Sequence, residues 1–148
     1  SLPIPGILSQ NRRDLKHELI RLDVAAPRKA IIDKFFWLVV AIKLPGSPPL
    51  SIADLPDVTS EVGDIFRSPD EPLVRYRVHV TAPDFEVPEA SYVFRLEAGC
   101  ESKPRCFLLK PLQPGSLPVR VSAYQIMADE ELAAQTRLQI EVMLEFAD

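Results

Sequence analysis

Phe35-Phe36-Trp37-Leu38-Val39-Val40-Ala41-Ile42 is apolar at every position and contains the chain's single tryptophan. Eight residues are too few for a helix that crosses a bilayer, which takes about 20. β-Branched and aromatic side chains dominate the stretch, so it reads as a buried central strand. Strand side chains alternate, which puts Phe36, Leu38, Val40 and Ile42 on one face, toward a core. Phe35, Trp37, Val39 and Ala41 fall on the other face, which needs a cover of its own: a loop, a terminal segment or a partner. The nearest candidates are the apolar residues of segment 43–72 and of Leu2–Leu8.

Working outward, period-two patterns recur on both sides. Upstream, Ile20, Leu22 and Val24 alternate with Arg21 and Asp23 until Pro27 stops them. Ile31-Ile32 resume the pattern after a kink, as an edge strand that switches sheets would. Downstream, Val74, Tyr76, Val78 and Val80 alternate with Arg75, Arg77, His79 and Thr81. Tyr92–Leu96, Cys106–Lys110 and Leu117–Ala123 repeat the alternation, and Thr136–Leu144 closes the chain with the longest run. Gln113-Pro114-Gly115 is a turn in which proline presets φ and glycine takes a positive one. Cys100 and Cys106 are placed at the mouth of a hairpin between the strands ending near Leu96 and starting near Cys106. Asp129–Ala134 reads as a helical turn or a loop. About seven or eight strands with turn signals between them predict an all-β, antiparallel β-sandwich.

Two segments stand apart. Residues 1–18 are expected to be a linker or a short helix, capped by Ser9 or Asn11 with Leu15 and Leu19 on one face. The sandwich domain is then 19–148. Residues 43–72 carry six of the chain's prolines and six acids, Asp54, Asp57, Glu61, Asp64, Asp70 and Glu71. This segment reads as one long Pro-rich loop, with a helical turn at 51–55, and loops of such length are often functional.

The totals fit one globular domain: 148 residues, 47% hydrophobic and 26% charged. A chain of this length buries roughly 68–70% of its unfolded surface and needs no metal or disulfide framework. Net charge is −4, with no run of basic residues, which argues against nucleic acid as a partner. No signal peptide opens the sequence, no membrane insertion is expected, and two cysteines are too few for a disulfide scaffold. Unpaired thiols and a cytoplasmic setting are the simpler expectation, with an extracellular one left open. Starting at Ser1 on a Pro-punctuated lead-in, the chain reads as one module of a longer protein.

From about Leu19 to Leu144 the layout resembles bacterial immunoglobulin-like sandwich domains. The resemblance rests on Phe35–Ile42 as the second strand, Phe107–Tyr124 (FLLKPLQPGSLPVRVSAY) as two late strands joined by a Pro-Gly turn, and Gln135–Leu144 as the closing strand. It departs from antibody-type domains in lacking a cysteine pair to bridge the sheets around Trp37. The resemblance implies a module of the kind carried inside large multidomain signalling or defence proteins.

The candidate chemistry is sparse. His17 and His79 have no nucleophile-and-carboxylate signature beside them, and no phosphate loop, nucleophile elbow or metal cluster is present, so no enzyme and no cofactor are predicted. The cysteine gap does not suit zinc. The acidic residues of 43–72 offer oxygen ligands for Ca²⁺, but charge runs usually face water. A carbohydrate-binding sandwich would present an exposed Trp or Tyr, whereas Trp37 lies inside an apolar run and reads as core, and Tyr76 and Tyr92 fall on core-facing registers. Arg75, Arg77, Arg95, Arg120 and Arg137 share the polar register of their strands, and neighbouring strands would make them a basic stripe. Glu97, Glu141 and Glu145 would neutralise it by cross-strand pairs. The expected function is a non-catalytic protein-interaction module, binding another domain of its own chain or a second protein. Its surfaces would be the five arginines and Asp54, Asp57 and Glu61. The alternative is a ligand-binding sandwich, for Ca²⁺ or carbohydrate.

Overall fold

The apolar stretch forms β3 (Phe36–Lys43), the middle strand of a five-stranded sheet. A computed structural model describes residues 15–145, and every regular element in it is a strand. The first sheet has the order β4 (Asp57–Arg67), β1 (Lys16–Ala26), β3, β8 (Arg105–Pro111), β6 (Phe85–Glu86). The second has the order β2 (Lys29–Ile31), β10 (Glu130–Met143), β9 (Gly115–Ile126), β5 (Leu73–Thr81), β7 (Ser91–Glu97). All pairings are antiparallel except β2 with β10, which is parallel.

The alternation read from the sequence decides which face each strand buries. Ile20, Leu22 and Val24 of β1 and Leu38, Val40 and Ile42 of β3 meet Tyr76, Val78, Val119, Val121 and Ile140 of the opposite sheet in one core. The chain changes sheets between β1 and β2, as the kink at Pro27 implied, because proline cannot donate to the ladder. Gly115 takes φ of 115°, the positive value expected for the turn after Pro114.

Three expectations are corrected. Residues 16–19 are strand rather than helix and Leu15 before them is in no regular element; residues 1–14 of the expected linker or helix lie outside the described residues. Segment 43–72 is not one loop, because Asp57–Arg67 pairs along its whole length with β1. Its edge position explains why the pattern was hard to see: an edge strand can carry Glu61 and Asp64 outward and still complete a ladder. Residues 130–134 belong to β10, where Ala133 is the extra residue of a bulge.

The bulge and β4 meet closely. A Cβ built on Gly63 would lie 1.9 Å from the Ala133 carbonyl oxygen and 2.9 Å from Ala134 Cβ. Three residues on, the Gln125 side chain accepts a hydrogen bond from the Phe66 amide at 2.9 Å and donates one to the Phe66 carbonyl. That end of the β4 edge is therefore closed by the second sheet.

Residues 44–56 cross the outer face of the first sheet. Leu50, Ile52, Leu55 and Val58 pack on Ala25, Val39 and Ala41 in a small second core. A buried ion pair holds this strap down. Arg21 Nε and Nη2 donate to the Asp23 carboxylate at 2.7 and 2.9 Å. The same guanidinium donates to the carbonyls of Pro45, Ser47 and Pro48. Asp23 also accepts from the Leu50 amide and the Ser60 hydroxyl. Burial alone would push the Asp23 carboxyl up, but the Arg21, Leu50 and Ser60 hydrogen bonds outweigh it and hold it below the usual carboxylate range.

Candidate functional site

On the second sheet, the positions that alternate with the core residues make an open polar face. β5 contributes Arg75, Arg77 and His79; β7 contributes Ser91, Val93 and Arg95; β9 contributes Arg120, Ser122 and Tyr124; β10 contributes Gln135 and Arg137. All five predicted arginines are thus brought onto one face. The register does more than gather them. Arg75 lies directly opposite Arg95, and Arg120 directly opposite Arg137.

The neutralisation expected from Glu97, Glu141 and Glu145 does not occur. Among the described residues none of the three makes an ion pair, and neither do Arg75, Arg95, Arg120 and Arg137. Arg77 alone is satisfied, by Glu130, a residue with no part in the expected pattern. Its Nε and Nη2 each donate to that carboxylate at 2.7 Å, and its guanidinium lies 4.9 Å from the centre of the Tyr124 ring. The Arg77 hydrogen bonds hold the Glu130 carboxyl below its ordinary range. No signal in the sequence named Glu130, because the bulge at Ala133 changes which β10 residues face outward beyond it.

A polar row, Gln135, Ser122, His79 and Ser91, runs between the two arginine pairs. His79 Nδ1 and Ser91 Oγ are 2.7 Å apart, and Ser122 donates to Gln135 at 3.1 Å. A serine beside a histidine is two parts of a nucleophilic triad. Among the described residues no carboxylate is hydrogen-bonded to His79; the acid on this face, Glu130, is held by Arg77.

The acidic candidates are scattered. Asp54 sits in the tight turn that pairs Ile52 with Leu55, at φ of 67°. Asp57 opens β4 and lies 3.7 Å from Arg28. Glu61 is four residues further along β4. Among the described residues no three His, Cys, Asp or Glu side chains converge as metal ligands.

The tryptophan is the clearest departure from expectation. Trp37 is 51% exposed and Phe35 45%. β1 ends at Ala26, and the last β3 residue it pairs with is Val39, so Trp37 has no β1 neighbour. The strap covers Val39 and Ala41 and stops short of it. Trp37 stands opposite Leu108 and lines an open groove of about 490 Å³ with Pro88, Glu89, Pro104, Arg105, Cys106, Phe107 and Leu108. Arg105 closes one side, its guanidinium 4.2 Å from the centre of the Tyr92 ring and 3.3 Å from Glu89. Tyr92 keeps the core register but remains more than a third exposed at the sandwich margin. Cys100 and Cys106 are both free and exposed. They do not flank a hairpin, since β7 and β8 lie in different sheets.

No family model matches the chain, and no curated protein matches it in sequence. Among the described residues no helix is long and apolar enough to cross a membrane.

Proposed function

We propose that the chain is a non-catalytic, immunoglobulin-like interaction module that docks an acidic protein surface on its arginine-bearing face. Strand order supports the immunoglobulin-like part. β1-β3-β8 follows the A-B-E order of that fold and β10-β9-β5 follows G-F-C, while β6 and β7 come in the reverse of the chain order that D and an added C′ strand would have. β4 is then an insertion on the outer side of the A strand. The resemblance to bacterial modules in signalling and defence proteins adds that the partner is another domain of a larger chain or a second protein.

One observation carries the binding reading: two directly opposed arginine pairs, without acidic partners among the described residues, on a chain of net charge −4. Like charges facing each other across strands are destabilising, so this face costs stability until an acid approaches it. Arginine is suited to that approach, since it grips carboxylates with two parallel hydrogen bonds. The flatness of a sheet face favours a protein surface over a small molecule, which takes a concave site.

A photo-crosslinker placed at position 120, in cells that produce the chain, tests this. A protein adduct is expected, weakened when Arg75 and Arg95 are changed to Glu and absent when the crosslinker sits at position 62 on the other sheet. A nucleic-acid adduct, or equal labelling from both positions, would overturn the proposal.

Trp37 favours a second reading, a ligand-binding sandwich for carbohydrate. An exposed indole beside a groove with Glu89 and Arg105 on its rim offers a stacking platform with hydrogen-bonding groups. Tryptophan fluorescence titrated with a panel of neutral oligosaccharides distinguishes the readings: saturable quenching supports the second, and an unchanged spectrum removes it.

A further inference from the structure

The arginine face ends at β7, which is an outermost strand. Among the described residues its seven residues pair with β5 on one side and with no strand on the other. The remaining outermost strands differ. β4 is closed at one end by Gln125 and the Ala133 bulge, β2 has three residues and β6 has two.

Which backbone groups β7 offers follows from one hydrogen bond. The Val80 amide donates to the Ala90 carbonyl at 2.8 Å, which makes Val80 and Ala90 a hydrogen-bonded pair. In an antiparallel ladder such pairs recur at every second position, so Tyr92, Phe94 and Leu96 bond to Val78, Tyr76 and Val74. The amides and carbonyls of Ser91, Val93, Arg95 and Glu97 then point away from the sheet. The register of β7 has no shift, and the strand contains no proline or glycine. Its outward charges are Arg95 and Glu97, and an acid is favoured only at the position opposite Arg95.

We propose, resting on the arginine-face reading, that β7 takes up an extended acidic segment of the partner as an added strand. The phase fixes the pattern of that segment. A residue opposite Arg95 projects onto the outer face, where an acid would complete a row with Arg95 and Arg75. A residue opposite Phe94 projects inward, to the core margin beside Leu96, where an apolar side chain fits. The segment therefore alternates acidic and apolar residues, with main-chain bonds supplying affinity and the arginines supplying selectivity.

The test uses the full chain and a blocked heptapeptide of alternating valine and glutamate. Amide exchange at Val93 and Arg95 is expected to slow by at least about tenfold on saturation, with affinity reduced about tenfold or more by N-methylation of alternate peptide amides, by Glu→Lys in the peptide, or by Arg95→Glu. Three results are decisive against it. If the peptide binds but N-methylation changes nothing and Arg120→Glu/Arg137→Glu abolishes binding, strand addition is wrong and the arginine face stands. If exchange at Val93 slows equally with the lysine peptide, the charge selectivity is wrong. If no binding occurs at millimolar peptide, both readings lose their support.

Discussion

Asp23→Ala should be the most damaging single polar substitution in the molecule. Asp23 is fully buried and Arg21 nearly so. Removing the carboxylate deletes two charge-assisted bonds from Arg21, one from the Leu50 amide and one from the Ser60 hydroxyl. It also leaves a guanidinium charge inside the protein. Breaking a buried pair from one side costs about 3–5 kcal/mol, mostly for the uncompensated charge. Arg21 keeps its three carbonyl acceptors on the strap, which moderates the loss, so about 3–4 kcal/mol is expected. For a chain of this size that corresponds to a fall in Tm of roughly 10 °C. Urea unfolding gives the magnitude, and proteolysis of 44–56 reports whether the strap has lifted. Acid should act on the same site. Asp23 is held below its unfolded value of roughly 3.9, so its contribution is complete above that pH and is lost as pH falls toward the folded value. Glu101, held down by the Ser47 hydroxyl and then the Leu44 amide, adds to the loss in the same window. The Asp23→Ala protein should therefore lose less stability between pH 5 and pH 3 than the parent does, about the range where carboxylates titrate. A cost under about 1 kcal/mol, or an unchanged acid slope, would refute the view that this pair clamps the strap.

Gly63→Ala places a methyl inside the Ala133 carbonyl and should cost at least about 3 kcal/mol by urea unfolding, because backbone on both sides must move. Trp37→Ala should cost under about 1 kcal/mol, since half of the indole is already in water and no hydrogen bond is lost; a larger loss in thermal melting would mean that the side chain is structural. Arg75→Gln with Arg120→Gln should leave stability unchanged or slightly raised, measured by urea unfolding, because each opposed pair loses a repulsion. Glu130→Gln should release Arg77 and strengthen binding of the acidic heptapeptide, measured by titration at low salt.

Alternation made most of the fold legible. Val74–Val80 and Leu117–Ala123 show period two because one face of each strand meets the core and the other meets water, and both are strands in the structure. β4 was hidden because its partner lies on one side only, so its sequence carries acids where a central strand would carry valine. The Ala133 bulge was hidden because an extra residue leaves no mark in composition while it shifts the face of everything beyond it. Trp37 shows the limit of reading hydrophobicity as burial. Alternation gives its face, but exposure depends on where β1 stops and how far the strap reaches, and both are set by residues distant in sequence. The arginine stripe was legible as a register, while its lack of neutralisation was not. Glu97 and Glu141 share the outward register without forming an ion pair, and Glu130 satisfies Arg77 from beyond the bulge.

These departures point in one direction. The first sheet spends its buried charge internally: Arg21 and Asp23 satisfy each other and hold the strap that covers β1 and β3. The second sheet leaves four of its five outward arginines, all but Arg77, without an ion pair among the described residues. A stretch of the first sheet's outer face is therefore closed, and the second sheet's is open. The fold offers no compensation for the opposed arginines within the described residues, so whatever relieves them comes from outside those residues. A partner bringing carboxylates to the Arg75–Arg95 pair arrives beside the backbone groups of β7 that have no mate among the described residues. Charge and edge thus call for the same occupant, and replacing Arg95 alone should weaken it more than replacing Arg137, which lies three strands further from the edge. Equal losses from the two substitutions would place the partner on the flat of the sheet and not at its edge.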